Sequence, residues 1–97
     1  MYAITSTAQL KPQCLATFCQ RWRAIIEPAI DQFPALIDLY VLVNPETNTL
    51  LVFSIYASEA DALAAGAHGA DQQWVQQCAD LLRQETVTHT GYIIISA

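Results

Sequence analysis

His68 is the residue of this 97-residue chain whose type best suits moving a proton near neutral pH. It stands between Gly66 and Gly69, where a helical run breaks. An imidazole that titrates near 6.5 can accept a phenol or enol proton. A loop His can equally face solvent or bond the backbone, and the sequence leaves both roles open. His89, just before Thr90 and Gly91, has a weaker claim. Asp38 interrupts an apolar run. Turned inward it would be a candidate base, and at the sheet margin it would be a salt-bridge partner or a solvated carboxylate. Trp22 and Trp74 both fall on apolar helical stripes. Each can stack on a flat ligand or simply fill the core. Tyr56, Tyr40 and Ser54 alternate with aliphatic neighbours and can offer polar groups to a pocket or to a dimer seam. The expected site is a pocket between sheet and helices, bounded by Trp22, Tyr56 and Trp74, with His68 as the catalytic base.

Several other chemistries lack their residues. Two His and the three Cys (Cys14, Cys19 and Cys78) show none of the short paired spacings of zinc sites. The odd thiol count implies a reducing compartment and buried thiols rather than a disulfide framework. Only three glycines are present, with no phosphate-binding loop and no nucleophile elbow. No cofactor is therefore expected: neither metal, haem nor flavin. Nine acidic and four basic residues give a net charge of -5, which offers no basic stripe for nucleic acid. No apolar run reaches the roughly 18 residues of a membrane span, and the N-terminal residues do not read as a signal peptide. A cytoplasmic location is the expectation.

Periodicity orders the elements that must position these residues. Residues 2–8 read as a first strand, rich in Thr, Ile and Tyr. Pro12 suits the first turn of a helix, and Leu15, Phe18, Cys19, Trp22, Ile25, Ile26 and Ala29 form one apolar stripe. Pro28 should end or kink that helix. Residues 36–43 and 50–56 read as strands joined by Asn44-Pro45-Glu46-Thr47-Asn48, a hairpin whose loop has four or five residues. Ser58 with Asp61 resembles a capping box before a short helix over 59–65. Trp74, Val75, Cys78, Leu81 and Leu82 mark another helix, 86–90 is β-prone, and 92–95 is a last strand. The order β-α-β-β-α-α-β predicts one α+β domain over residues 1–97. It would be a ferredoxin-like unit with a four-stranded antiparallel sheet and helices on one face.

In both central strands each alternating set of side chains is largely apolar. The chain's own helices can cover one face, and 97 residues leave little to cover the other. Hydrophobic residues make up 54% and charged residues 13% of the chain, about half the charge usual in soluble domains. The partner expected for the second face is another copy, giving a homodimer through sheet faces.

With this order, the hairpin at 40–48 and the step Phe53-Ser54-Ile55-Tyr56-Ala57-Ser58-Glu59-Ala60-Asp61-Ala62, the chain resembles the antibiotic biosynthesis monooxygenase-like family of dimeric α+β barrels. The resemblance is one of pattern and spans essentially the whole chain. It implies dimerisation sheet against sheet and a pocket between sheet and helices. The implied ligand is a small apolar or aromatic molecule. The implied activity, where there is one, is cofactor-independent oxidation or isomerisation of a phenolic or acidic C–H substrate. A non-catalytic ligand-binding or assembly module of the same fold is the alternative. The His that many members carry near the end of the second helix is matched slightly late by His68. The first strand lacks the Asn of the haem-degrading branch, and His68 precedes Trp74 rather than following it, so that branch's residues are not carried over.

Overall fold

A computed structural model describes residues 1–33, 35–67 and 70–96, with the side chains at 66, 67 and 70–73 left aside. Ten segments follow one another. They are β1 (Tyr2–Leu10), α1 (Leu15–Arg21), a π-helical turn (Trp22–Ile26), a 3-10 segment (Glu27–Gln32), β2 (Leu36–Asn44), β3 (Thr49–Tyr56), α2 (Glu59–Ala67), α3 (Ala70–Gln77), a 3-10 turn (Ala79–Leu81) and β4 (Leu82–Ile93). The strands form one antiparallel sheet in the order β2-β3-β1-β4. This is the α+β, ferredoxin-like arrangement that the element order implies.

Register decides which side chains face the helices. Ser6 lies opposite Val52, and Ala8 opposite Leu50. On β3, Leu50, Val52, Ser54 and Tyr56 are buried, while Leu51, Phe53 and Ile55 between them are only half-buried. The first set packs under the helices and the second forms the open face. Two clusters result. The larger joins Leu10, Phe18, Trp22, Ile26, Leu50, Val52, Trp74, Cys78, Leu81 and Leu82. The smaller is Tyr56 with Ala62 and Ala65, whose small side chains let α2 lie close to the sheet.

Local chemistry explains the boundaries. Asn44 pairs with Thr49, so the hairpin loop has four residues. Within it the Glu46 N–H donates to Asn44 Oδ1 at 3.0 Å, and Asn48 takes the left-handed φ of 57° that Asn tolerates. The Asn48 carbonyl then accepts from the Leu10 N–H at 2.8 Å, tying the hairpin to the end of β1. Ser58 caps α2 as expected, its Oγ accepting from the Asp61 N–H at 3.1 Å.

Three expectations shift. Pro12 lies in a turn before α1 rather than inside it, because Gln13 adopts φ 64°, which a helix cannot contain. The first helix does not end at Pro28; it changes pitch around it. The Glu27 N–H reaches back five residues to the Trp22 carbonyl, and Pro28 sits in the first turn of the following 3-10 segment. A proline has no N–H for the bond four residues back, so widening before it and tightening after it accommodate the loss. The last helix stops at Gln77, and Leu82 opens β4, which runs unbroken to Ile93 with an irregularity between the Thr7 and Gln9 pairings. Leu81 is buried at the end of the 3-10 turn and Leu82 as the first residue of β4, not as part of one helical stripe.

Phe18, Trp22 and Trp74 hold helices and sheet together. Their ring centroids lie 5.8 Å (Phe18–Trp22), 6.5 Å (Phe18–Trp74) and 6.1 Å (Trp22–Trp74) apart, in tilted and edge-on pairs. Trp74→Ala should cost about 3–5 kcal/mol in chemical denaturation, since it removes the member joining α3 to α1. A loss below about 1 kcal/mol would show that the helices repack without it.

Candidate functional site

The helices do not reach the outer edge of the sheet. β2 is an edge strand, and its helix-side residues Val41 and Val43 are exposed although apolar. Between them and the α1–π segment lies an apolar cleft of about 170 Å³. Leu15, Phe18, Cys19 and Trp22 form its helical wall, and Val41, Leu42, Val43 and Leu50 its sheet wall. Arg23 and Glu27 stand at it as the charged residues. The four-residue steps from Leu15 to Cys19 to Arg23 to Glu27 follow one side of the helical segment. The π-turn contributes both Trp22 and Arg23, and such turns recur at functional sites.

Among the described residues, those singled out from sequence are not gathered in one place. Trp22 lines the cleft. Trp74 is buried behind it, packed on Trp22 and Phe18. Tyr56 is buried in the smaller cluster with Ala62 and Ala65. His68 lies outside the described residues. Asp38 sits exposed on β2, where Oδ1 accepts from the Leu39 N–H at 2.9 Å and Oδ2 accepts from the Tyr40 hydroxyl at 2.7 Å. Donation to that carboxylate pushes the Tyr40 phenol above its ordinary value. Of the roles left open, Asp38 takes the solvated one at the sheet margin.

The pairing of Ser6 with His89 left no signal in the pattern of residues. Ser6 Oγ and His89 Nδ1 are 2.6 Å apart across the β1–β4 ladder, with Ser6 only 2% exposed. The bond satisfies a hydroxyl buried under the helices and holds the imidazole against the sheet. Nor did composition reveal the part of Arg23 and Glu27, which look like ordinary solvated helix residues until β2 is placed beside them.

Arg21 is held. Its Nη1 donates to Asp80 Oδ1 at 2.5 Å and to the Gln77 carbonyl at 3.2 Å, and its Nη2 donates to Asp80 Oδ2 at 3.3 Å. The fork ties the end of α1 to the end of α3 and to the 3-10 turn after it, next to the cleft-lining Trp22. It holds the Asp80 carboxyl below the usual carboxylate value and raises Arg21. Burial pushes the Cys78 thiol up, which suits a packing residue rather than a nucleophile. Among the described residues no group of three or more His, Cys, Asp or Glu could hold a metal ion.

With the geometry in hand, likeness to known proteins can be placed. No protein-family model matches the sequence, and no curated protein matches it. Solved structures do. A protein named as a candidate antibiotic biosynthesis monooxygenase, from Nitrosomonas europaea, superposes with a TM-score of 0.74 at 20% identity, covering 99% of this chain and 100% of its own. Another so named, from Deinococcus radiodurans, gives 0.71 at 15%, covering 100% and 95%. The chain has the fold of the antibiotic biosynthesis monooxygenases. An uncharacterised NIPSNAP domain protein from Burkholderia xenovorans shares it as well, with a TM-score of 0.73 at 14% identity over 99% and 96% of the two chains. One monooxygenase-like fold thus carries more than one family name, and function must be argued from the site.

The Arg21–Asp80 fork makes a prediction with a definite sign. Asp80 has a lowered value in the folded chain, so its contribution is present above the unfolded value of about 3.9 and is lost as pH falls through the folded one. Melting temperature should therefore drop as pH falls below about 4, and Asp80→Asn should flatten part of that drop. Equal slopes in both proteins would show that the fork contributes nothing, as exposed ion pairs often do.

Proposed function

We propose that the chain binds a small apolar molecule in the cleft between α1 and β2 and acts as a homodimer. The observation that carries the first half is the cleft itself: a slot walled by Phe18, Trp22, Val41, Val43 and Leu50 where the helices stop short of the β2 edge. Its size sets the ligand. A cavity of about 150 Å³ holds one benzene ring, so a slot of about 170 Å³ suits a single ring or a short branched chain rather than a polycycle. Saturable quenching of Trp fluorescence by ethylbenzene, and none by naphthalene, is the expected result. Val43→Phe should fill the slot and abolish the response without unfolding the protein. Absence of any response to ethylbenzene and to its singly and doubly charged single-ring analogues would remove the reading.

The open sheet face supports the second half. Tyr40, Leu42 and Tyr92 are 52%, 49% and 54% exposed there, around half-buried Leu51, Phe53 and Ile55. Apolar area on this scale favours an interface there. A second copy packed on the same face would bury on the order of 2,000 Å², as obligate dimers do. Sedimentation at micromolar concentration should show a dimer, and Phe53→Asp should yield monomer. A wild-type species of 10.7 kDa would defeat the proposal.

A catalytic reading is favoured by the oxygenase names that several structures of this fold carry. In it His68 removes the proton of a phenolic substrate before oxygen attack, with no cofactor. Oxygen uptake with such a substrate, lost in His68→Ala at unchanged stability, would support it. Uptake that survives His68→Ala would rule out that role for His68.

A further inference from the structure

We infer that the occupant of the α1–β2 cleft is a free α-amino acid with an apolar side chain, a step that rests on reading the cleft as a ligand site. The walls account for an apolar body but not for Arg23 and Glu27. These are exposed, opposite in charge and four residues apart at the same slot. That spacing normally brings an Arg and a Glu into a helix-surface ion pair. Here neither has a charged partner among the described residues, while Arg21, two residues earlier, is fully engaged by Asp80 and the Gln77 carbonyl. Among the described residues, one cation and one anion are thus left unpaired beside an apolar slot.

Three head groups can be weighed. A simple carboxylic acid would pair with Arg23 and be repelled by Glu27. An amine would pair with Glu27 and be repelled by Arg23. A zwitterion meets both, its carboxylate on the guanidinium fork and its ammonium on the Glu27 carboxylate, with the charges alternating in sign. The net charge of -5 also repels an anion, whereas a neutral zwitterion feels little long-range field. The slot then takes the side chain against Phe18, Trp22 and Leu50. At about 170 Å³ it accepts a phenyl or a branched aliphatic group and is tight for an indole.

Binding of four probes to the full chain tests this: L-phenylalanine, 3-phenylpropanoate, 2-phenylethylamine and ethylbenzene, followed by calorimetry or Trp fluorescence. L-phenylalanine should bind about tenfold more tightly than either singly charged analogue, the usual scale for a charge-assisted hydrogen bond. Arg23→Gln should erase its advantage over 2-phenylethylamine, and Glu27→Gln its advantage over 3-phenylpropanoate, with circular dichroism confirming that both variants stay folded. If ethylbenzene binds and L-phenylalanine binds no more tightly, the slot is a ligand site and the amino-acid assignment falls. Tighter binding of either singly charged analogue than of L-phenylalanine also overturns the assignment. If none of the four binds, the cleft reading falls first and the assignment with it.

Discussion

A four-stranded sheet has two faces, and three short helices can cover only one of them. The rest of this molecule follows from that shortage. On the covered side, burial is deepest over the two central strands, β1 and β3, where Ala8, Leu50, Val52 and Tyr56 are nearly inaccessible. Coverage thins toward β2, whose apolar side chains stay exposed on both faces. The cleft sits where helix coverage ends. The open face is what no helix reaches. One deficit of apolar cover thus produces both an apolar cleft and an open apolar face.

The two differ in scale and in how they meet their ligands. The cleft is narrow, walled by rings that are themselves fixed by neighbours: Trp22 packs on Phe18, and both pack on Trp74. A ligand entering it meets a largely preformed wall and need not bear the cost of ordering it. The open face is broad and shallow. Some of its polar groups pair with one another, Tyr40 with Asp38 and the hydroxyls of Thr7 and Thr88 with each other. A partner could cover those pairs without stranding their donors, and would have to meet the Tyr92 hydroxyl.

Much of this was legible in the sequence because it rests on periodicity. Alternation that fails on both faces of 36–43 and 50–56 points to a sheet needing two covers, and Ser58 and Asn48 mark a cap and a turn by chemistry that acts within a few residues. The site was less legible because it depends on register and pitch. That Trp22 faces a slot while Trp74 stands behind it follows from where α3 lies, not from either residue's neighbours in sequence. Tyr56 shares a strand with Leu50 but sits six residues along it, in a different cluster. The partnership of Ser6 with His89 joins residues 83 positions apart. Arg23 and Glu27 acquire a shared neighbour only once β2 is folded beside them.

The π-turn has an evolutionary reading. Where a helix closes a bond over five residues instead of four, it carries one residue more than a regular helix of the same span. Removing any one residue between Trp22 and Ile26 would allow the regular bond to form. The Glu27 N–H would still reach the Trp22 carbonyl, so the residues after the turn would keep their facing, while the side chains inside it, Arg23 among them, would be lost or re-aimed. An insertion of this kind is a single genetic event that changes the lining of a cleft while leaving the four strands in register. Members of this fold that differ by one residue in this segment should therefore differ in what they bind rather than in how they fold.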